Sequence, residues 1–332
     1  MVRLKDIAEA AGVSTGTVSA ALSGTGRIGI HTREQIRKLA GEMNYQPSSS
    51  ARMLRKKPAI DAGMVIADEQ TRYVPEFINW CERYHLRHQL ELISSAGKSL
   101  PTLLEDNFAA GTLHTGYLGK TVRAFLAEHP EFPFVALNEK SDFCVRSNFA
   151  SGAKQAIQYL TALGHGNIWM SVGDQIYDLH QQLKQGLEAA IREFQFETTP
   201  KILIKEVRGV PHDRIMQRSI EYARCLLREK NRPTALFCCG HIEAQAFIYA
   251  GLELGLRVPD DLSIVSVGDT ELAVACYPAI TTLGNDYHQL ILQAMLLLQR
   301  RIAGIETEPQ DILVDTKLDI RNSTGKASLK KS

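Results

Sequence analysis

Two patterns of apolar residues divide the chain. Between residues 5 and 43 they recur every three or four positions, the period of an amphipathic helix. From residue 62 onward they gather into short unbroken runs separated by helix-like stretches. In "KDIAEAAGVSTGTVSAALS" (5–23), Ile7, Ala8 and Ala11 form the apolar side of a first short helix. Gly12 ends it, because glycine takes the left-handed conformation without a Cβ clash. Ser14 is placed to cap a second helix through its hydroxyl. That helix buries Val18, Ala21 and Leu22 and turns Thr15, Gly16, Thr17, Ser19, Ala20 and Ser23 outward. Small residues where two helices approach, a glycine at the turn and one aliphatic anchor are what a helix-turn-helix needs. A third helix, Thr32 to Met43, completes the group with Ile36, Leu39, Ala40 and Met43, and Asn44 suits its C-terminus.

The second pattern predicts strands at 62–67, 90–94, 115–119, 134–138, 167–172, 201–207, 234–239 and 262–267. Amphipathic helices are expected between them at 152–163, 179–194, 213–230 and 242–254. Apolar strands alternating with helices mean parallel sheets covered on both faces. Eight strands over this length exceed one comfortable doubly wound sheet, so two similar lobes are expected. The fold class is an all-α helix-turn-helix headpiece plus an α/β core of two doubly wound parallel-sheet lobes.

Composition adds a charge asymmetry. The 332 residues are 44% hydrophobic and 23% charged, as in an ordinary globular protein, with a formal net charge of +1. Residues 1–57 hold ten Lys/Arg against four Asp/Glu, whereas the remainder carries 28 against 33. A basic head on an acidic body suits a nucleic-acid module tied to a different module. The six cysteines show no metal or disulfide spacing, and Cys238 and Cys239 read as buried thiols in a strand. With no secretory leader and no apolar run of membrane length, a cytoplasmic protein is expected.

Candidate catalytic chemistry is sparse. "GTGRIG" (24–29) matches a dinucleotide fingerprint through Gly24, Gly26 and Gly29, but it follows a helix where that site requires a strand. It reads as a loop into the third helix. His85 and His88 would share a helix face, a weak metal pair. No Walker loop, G-x-S-x-G or H-E-x-x-H occurs. No enzyme activity, cofactor or metal is expected.

"LKDIAEAAGVSTGTVSAALSGTGRI" (4–28), "TREQI" (32–36) and "MNYQPSSSARMLR" (43–55) together resemble the headpiece and hinge of the lactose-repressor (LacI/GalR) family of transcription regulators. "LTALGHGNI" (160–168), "RPTALFCC" (232–239), "LGLRVPDDLSIVSVGD" (254–269) and "PAITTL" (278–283) are similar to that family's core, in its order and spacing. The resemblance implies a periplasmic-binding-protein type 1 core and three parts: a headpiece (1–47), a hinge helix (48–58) and an effector-binding and dimerisation core (59–326). Lobe 1 would take about 59–162 and 284–314, and lobe 2 about 163–283 and 315–326. The chain would cross between lobes near Leu163–His165, near Thr281–Leu283 and after a helix at Asp286–Ala303.

The family implies a homodimer, or dimer of dimers, on a pseudo-palindromic double-stranded operator. The second helix would lie in the major groove and paired hinges in the minor groove. DNA contacts would fall on Leu4, Lys5, Ser14, Thr15, Gly16, Thr17, Ser19, Ala20, Ser23, Arg27, Thr32, Tyr45, Ala51, Arg52 and Leu54. Leu54 is the expected wedge at a base step. The base readers would be Thr15, Gly16 and Ala20; the last position often carries a long polar side chain in the family, and alanine cannot form a bidentate contact to guanine. Indirect readout should carry more of the specificity.

An effector would bind between the lobes, at the carboxyl ends of the strands. Candidates are Tyr73, Asn148, Arg208, His241 and Asp269. The family's sugar-gripping arginine and two aspartates correspond to Leu183, His241 and Gly268, none of which keeps the charge. Arg208, His180 and His241 would instead suit an acidic or phosphorylated ligand, alongside the carbohydrate-related effectors the family implies. The function implied is a DNA-binding regulator, with repression as the commoner family output and carbohydrate metabolism as its usual setting. Three alternatives stand beside it: a solute-binding protein, an α/β enzyme using the Gly24–Gly29 loop, and a regulator whose core binds no effector.

Overall fold

The computed structural model describes residues 4–23, 28–43, 60–67, 71–93, 100–105, 108–116, 118–175, 177–198, 200, 202–204, 212–268 and 271–328. The chain divides into a small amino-terminal unit and a larger one that starts at Ile60.

In the small unit, α1 (Leu4–Ala11), α2 (Thr15–Ser23) and α3 (Ile30–Glu42) surround Ile7, Ala8, Val18, Ala21, Ile36 and Ala40. Ile7, Val18 and Ala21 are completely buried. Gly12 has φ +65, which lets the Val13 amide donate back to the Ala8 carbonyl at 3.0 Å and turns the chain sharply into α2. The third helix begins two residues earlier than its apolar period suggested. Gly29 forms its N-cap without a side-chain bond, because the missing hydroxyl leaves only its carbonyl, which accepts from Arg33 N. α2 precedes the glycine-rich loop and α3 follows it, so among the described residues no strand comes before Gly29. Asn44 lies outside the described residues.

The large unit contains two six-stranded sheets. Lobe 1 is built on β1 (Ala62–Ala67), β2 (His88–Ile93), β3 (Thr112–Thr115), β4 (Phe134–Leu137), β5 (Phe143–Asn148) and β11 (Gln310–Asp315), ordered β11-β5-β4-β3-β1-β2. α4 (Val74–Arg83) and α12 (Tyr287–Ile302) cover one face through Phe77, Cys81, Leu290, Ala294 and Leu298; α5 (Thr102–Glu105) places Leu103 against Val65 on the other. α6 (Lys120–Glu128) joins β3 to β4.

Lobe 2 orders β12-β10-β9-β8-β6-β7, with β6 (Ile168–Val172), β7 (Ile202–Ile204), β8 (Ala235–Cys238), β9 (Ser263–Val267), β10 (Thr281–Gly284) and β12 (Lys317–Asp319). α7 (Phe149–Ala162) and α8 (Asp178–Glu193) pack on one face, and α9 (His212–Leu227) and α10 (His241–Glu253) on the other; α11 (Glu271–Ala275) follows β9. Only the β10–β12 pair is antiparallel among the described ladders. α7 and α8 touch at backbone distance: a Cβ on Gly186 would collide with the Ala150 carbonyl.

Several expectations are corrected. The run at 115–119 is a strand only at its first residue, since the ladder sits at 112–115 and Gly116 turns away with φ +78. β5, β10, β11 and β12 are strands that apolar runs did not announce, because polar residues interrupt them (Arg146 and Ser147 in β5). His85 and His88 do not share a helix. α4 stops at Arg83, His85 takes φ +53 and His88 opens β2. The first crossing comes at Asn148–Phe149 rather than near Leu163, because α7 buries Phe149, Ala153, Ile157 and Leu160 in the lobe 2 core. An amphipathic helix reads the same whichever sheet it covers, so sequence placed it in the wrong lobe. The return crossings follow β10, at Asn285–Asp286, and β11, at Thr316.

One buried group gives lobe 1 a pH dependence. His114 is 1% exposed in β3, its ring near Phe134, and neither ring nitrogen has a hydrogen-bond partner among the described residues. Burial pushes its pKa down to about 4 from an ordinary 6.5. The unfolded chain therefore binds this proton at a pH where the native state does not. Stability should fall as pH drops below 6.5, with the loss complete only below about 4. Between pH 7 and 5 the loss should be about 2 kcal/mol. Urea unfolding at the two pH values measures it, and His114→Leu should shrink the difference by most of that amount.

Candidate functional site

The first candidate surface is α2. Its N-terminal turn is organised by Ser14, whose Oγ accepts from Thr17 N at 3.1 Å and pairs with Thr17 Oγ1 at 2.9 Å. Thr15 and Gly16 are exposed. Thr17 and Ala20 are half-buried, a departure from the fully outward set expected: Thr17 is drawn back by its bond to Ser14, and Ala20 has a short side chain beside the buried Val18–Ala21 stripe. Lys5 is exposed beside Glu9, at 3.9 Å, and Thr32 is half-buried on α3. The side chains of Leu4, Ser19 and Ser23 are not among those described, and Arg27, Tyr45, Ala51, Arg52 and Leu54 lie outside the described residues. Chemically, this end of α2 offers the Thr15 hydroxyl, beside the Ser14–Thr17 pair, and a bare backbone at Gly16. It suits close approach to a polyanionic backbone more than a long reach to base edges.

The second candidate is the cleft where the lobes join. Asn138, held at φ +53, is a hub: its Nδ2 donates to Tyr73 Oη at 2.5 Å and to Asn285 Oδ1 at 3.0 Å, and its Oδ1 accepts from Ser147 N at 2.6 Å. Ser147 Oγ donates to Asn285 Oδ1 at 2.7 Å. Tyr73 is fully buried, edge-on to Tyr287 at 5.0 Å, and burial holds its hydroxyl far above the usual phenol range. It braces the crossing from inside. Asn148 caps α7 by accepting from Ser151 N at 3.1 Å. Both residues were expected on the ligand, and the structure occupies both in supporting the fold.

His241 opens α10, half-buried, and burial lowers its pKa. His180 Nδ1 accepts from Gly173 N at 3.2 Å, and burial lowers its pKa as well. Both imidazoles are therefore neutral near pH 7, which removes two of the three positive charges expected of a cationic pocket. The third, Arg208, lies outside the described residues, as does Asp269. Leu183 is wholly buried in the lobe 2 core, and Gly268, at φ +96, ends β9.

Much of the charge in the cleft comes instead from Arg146, Asp178 and Asp311, which the sequence did not single out. Arg146, 8% exposed on β5, donates through Nε and Nη2 to Asp311 at 2.9 and 2.5 Å. Its Nη1 crosses to Asp178 Oδ2 at 2.5 Å, at the start of α8 in lobe 2. Burial opposes the guanidinium charge, but the bonds to Asp311 and Asp178 outweigh it and hold the proton firmly. Asp311 is in turn kept below the usual carboxylate range by Arg146. Nearby, Glu139 pairs with Arg123 at 2.7 Å, and burial raises its pKa despite that partner. On the lobe 2 side, the buried Glu243 accepts from Ser171 Oγ at 2.5 Å and Cys239 N at 3.1 Å. An arginine inside an otherwise strand-like run was the available signal for Arg146. Its partners, at 178 and 311, were not legible without the fold.

A helix-turn-helix unit followed by two parallel-sheet lobes joined by three crossings is the architecture of a DNA-binding regulator with a sensor core. Residues 3–48 match the profile described as bacterial regulatory proteins, lacI family, and residues 157–324 match that of a periplasmic binding protein-like domain. The chain belongs to the LacI family of transcription regulators. Among curated relatives it is 28% identical over 337 residues to the HTH-type transcriptional repressor PurR of Histophilus somni (strain 129Pt), covering 97% of this chain and 99% of that protein. It is 29% identical over 336 residues to PurR of Yersinia enterocolitica, covering 97% of each. The lac repressor dimer bound to operator and the anti-inducer ONPF shares the fold with a TM-score of 0.67 at 22% identity, over 98% of this chain and 99% of that one. The transcriptional regulator CelR–cellobiose complex does so with a TM-score of 0.63 at 21% identity, over 97% and 100%.

The Ser14 cap yields a direct test. Ser14→Ala removes the acceptor of Thr17 N and should cost the small unit about 1 kcal/mol. Thermal unfolding followed through the helical signal of residues 1–59 should show the loss, and DNA affinity should drop with it, while the large unit melts unchanged.

Proposed function

We propose that this LacI-family regulator is a homodimeric repressor whose operator affinity responds to a small molecule bound between its lobes. Its parts are a DNA-reading headpiece (1–47), a hinge (48–58) and a sensor and dimer core (59–326). The observation that carries the reading is the exposed, Ser14-capped end of α2 in a unit with a surplus of positive charge. Thr15, Gly16 and the neighbouring contacts lie in the major groove; Lys5, Arg27, Tyr45 and Arg52 meet phosphates; Ala51 and Leu54 enter the minor groove. Lobe closure changes the spacing of the paired hinges, so effector and operator share one coupling free energy of about 1–3 kcal/mol.

Dimerisation is supported by an apolar surface on lobe 2. Tyr249 and Leu252 on α10, Val274 on α11 and the neighbouring Tyr277 are all exposed, the last at 94%. Apolar groups clustered on an exposed helix pair favour a partner surface of like character. The effector favoured by the cleft is an uncharged polar molecule rather than an acidic one. His180 and His241 are neutral, and Arg146 and Arg123 are already paired. Gln175 follows β6 and His241 opens α10 after β8, positions at the carboxyl ends of strands where a ligand's hydroxyls or amides would lie. The protein acts by binding, without catalysis.

Leu54→Ala tests the DNA arm. Specific operator affinity should fall at least about tenfold, because only the specific complex is kinked, while non-specific affinity at the same salt stays within twofold. Fluorescence anisotropy on operator and random duplexes measures both, and equal losses on the two would overturn the wedge role.

A further inference from the structure

We propose that the Arg146–Asp178 pair is a clasp that holds the lobes closed in the absence of any effector. Both sides are prepared in advance. On lobe 1, Asp311 grips two nitrogens of the Arg146 guanidinium, fixing its plane and aiming Nη1 out of the sheet. A planar fork held on one edge has little freedom left to lose when its other edge finds a carboxylate. On lobe 2, Asp178 is the first residue of α8, where the helix dipole favours an anion. Gln182, one turn on, donates to Asp178 Oδ2 at 2.6 Å.

The same Gln182 reaches the crossing itself. Its Oε1 accepts from Phe149 N at 3.1 Å, at the residue where the chain passes from β5 into α7. The clasp and the first crossing are thus joined through one side chain. Arg146 is two residues before that crossing, so rotation of lobe 2 acts directly on the Arg146–Asp178 bond. The crossing after β10 carries a companion pair: Lys317 on β12 meets Asp286, the N-cap of α12, at 2.9 Å.

Breaking this pair leaves each charge with another partner. When the lobes part, Arg146 keeps Asp311 and Asp178 keeps Gln182, so neither charge is stranded and opening remains accessible. The clasp therefore biases an equilibrium rather than welding it. An effector of this protein acts on a core whose lobes this pair already joins. It either adds to closure or wedges between Arg146 and Asp178, and an uncharged ligand leaves the pair intact. The consequence for DNA rests on the regulator reading above; the closure itself does not.

The experiment uses the full chain with no ligand added, comparing the unaltered protein with Asp178→Asn, which keeps shape and removes the charge. X-ray scattering should show a larger radius of gyration for Asp178→Asn. Hydrogen exchange across 143–151 should run about tenfold faster, reading the loosened crossing. Asp178→Glu, which restores the carboxylate, should return both readouts toward the unaltered protein, a recovery that a packing role would not give. Should Asp178→Asn not fold, Arg146→Lys is read the same way, since an ammonium cannot fork to both carboxylates. Unchanged scattering and exchange in the variant that folds would overturn the clasp. Opening of the core with no change in operator affinity would leave the clasp standing and contradict its coupling to DNA.

Discussion

The large unit depends on how its chain gets from one sheet to the other. At each crossing the backbone leaves a ladder, and its amides and carbonyls need partners that no strand supplies. Asparagine side chains provide them at the first crossing and brace the second. Asn138 accepts from Ser147 N while donating to Asn285 and Tyr73, and Asn148 turns the end of β5 into the start of α7. Without these bonds the lobes would be tethered by loose strands of chain, and the cleft between them would have no defined geometry. With them, the crossings form a hinge with restricted directions, the kind of element on which a ligand or an ion pair can act.

Electrostatics in the cleft follows from that hinge. The buried arginine at its edge is satisfied by acids from both lobes, and the histidines further out are kept neutral by burial. The cleft is polar but offers little unpaired charge among the described residues. Among the described residues, a charged ligand would have to break an existing pair to gain a new one, an exchange that returns little. An uncharged one meets no such competition.

Much of the fold was legible in the apolar pattern, and its failures have physical causes. The run at 62–67 is buried at every position and reads as a strand without ambiguity. β5 carries Arg146 and Ser147, whose polarity serves the hinge, so its strand character was hidden by its function. α7 was recognised as a helix but assigned to the wrong lobe, because an apolar face does not name the sheet it covers. The headpiece was legible almost to the residue, since a helix-turn-helix is local and its glycine, cap and anchor lie within one short stretch. The cleft was not. Its central pair joins positions 146, 178 and 311, and only the topology brings those together. Tyr73 and Asn148, expected on a ligand, make bonds at the crossing, because polarity alone does not separate a ligand contact from a cap.

The headpiece sets the terms on which this machinery can matter. Its core is a handful of side chains, and its recognition helix offers short groups at Thr15, Gly16 and Ala20. A surface of that kind gains specificity by doubling across a two-fold axis and by reading the shape of DNA. Selection of bound fragments from the source genome by the purified full-length protein, followed by competition against random-sequence duplex at fixed salt, tests this most directly. The account predicts recovery of a two-fold-symmetric sequence bound about a thousandfold or more tighter than random duplex. Equal affinity for selected and random DNA would contradict it.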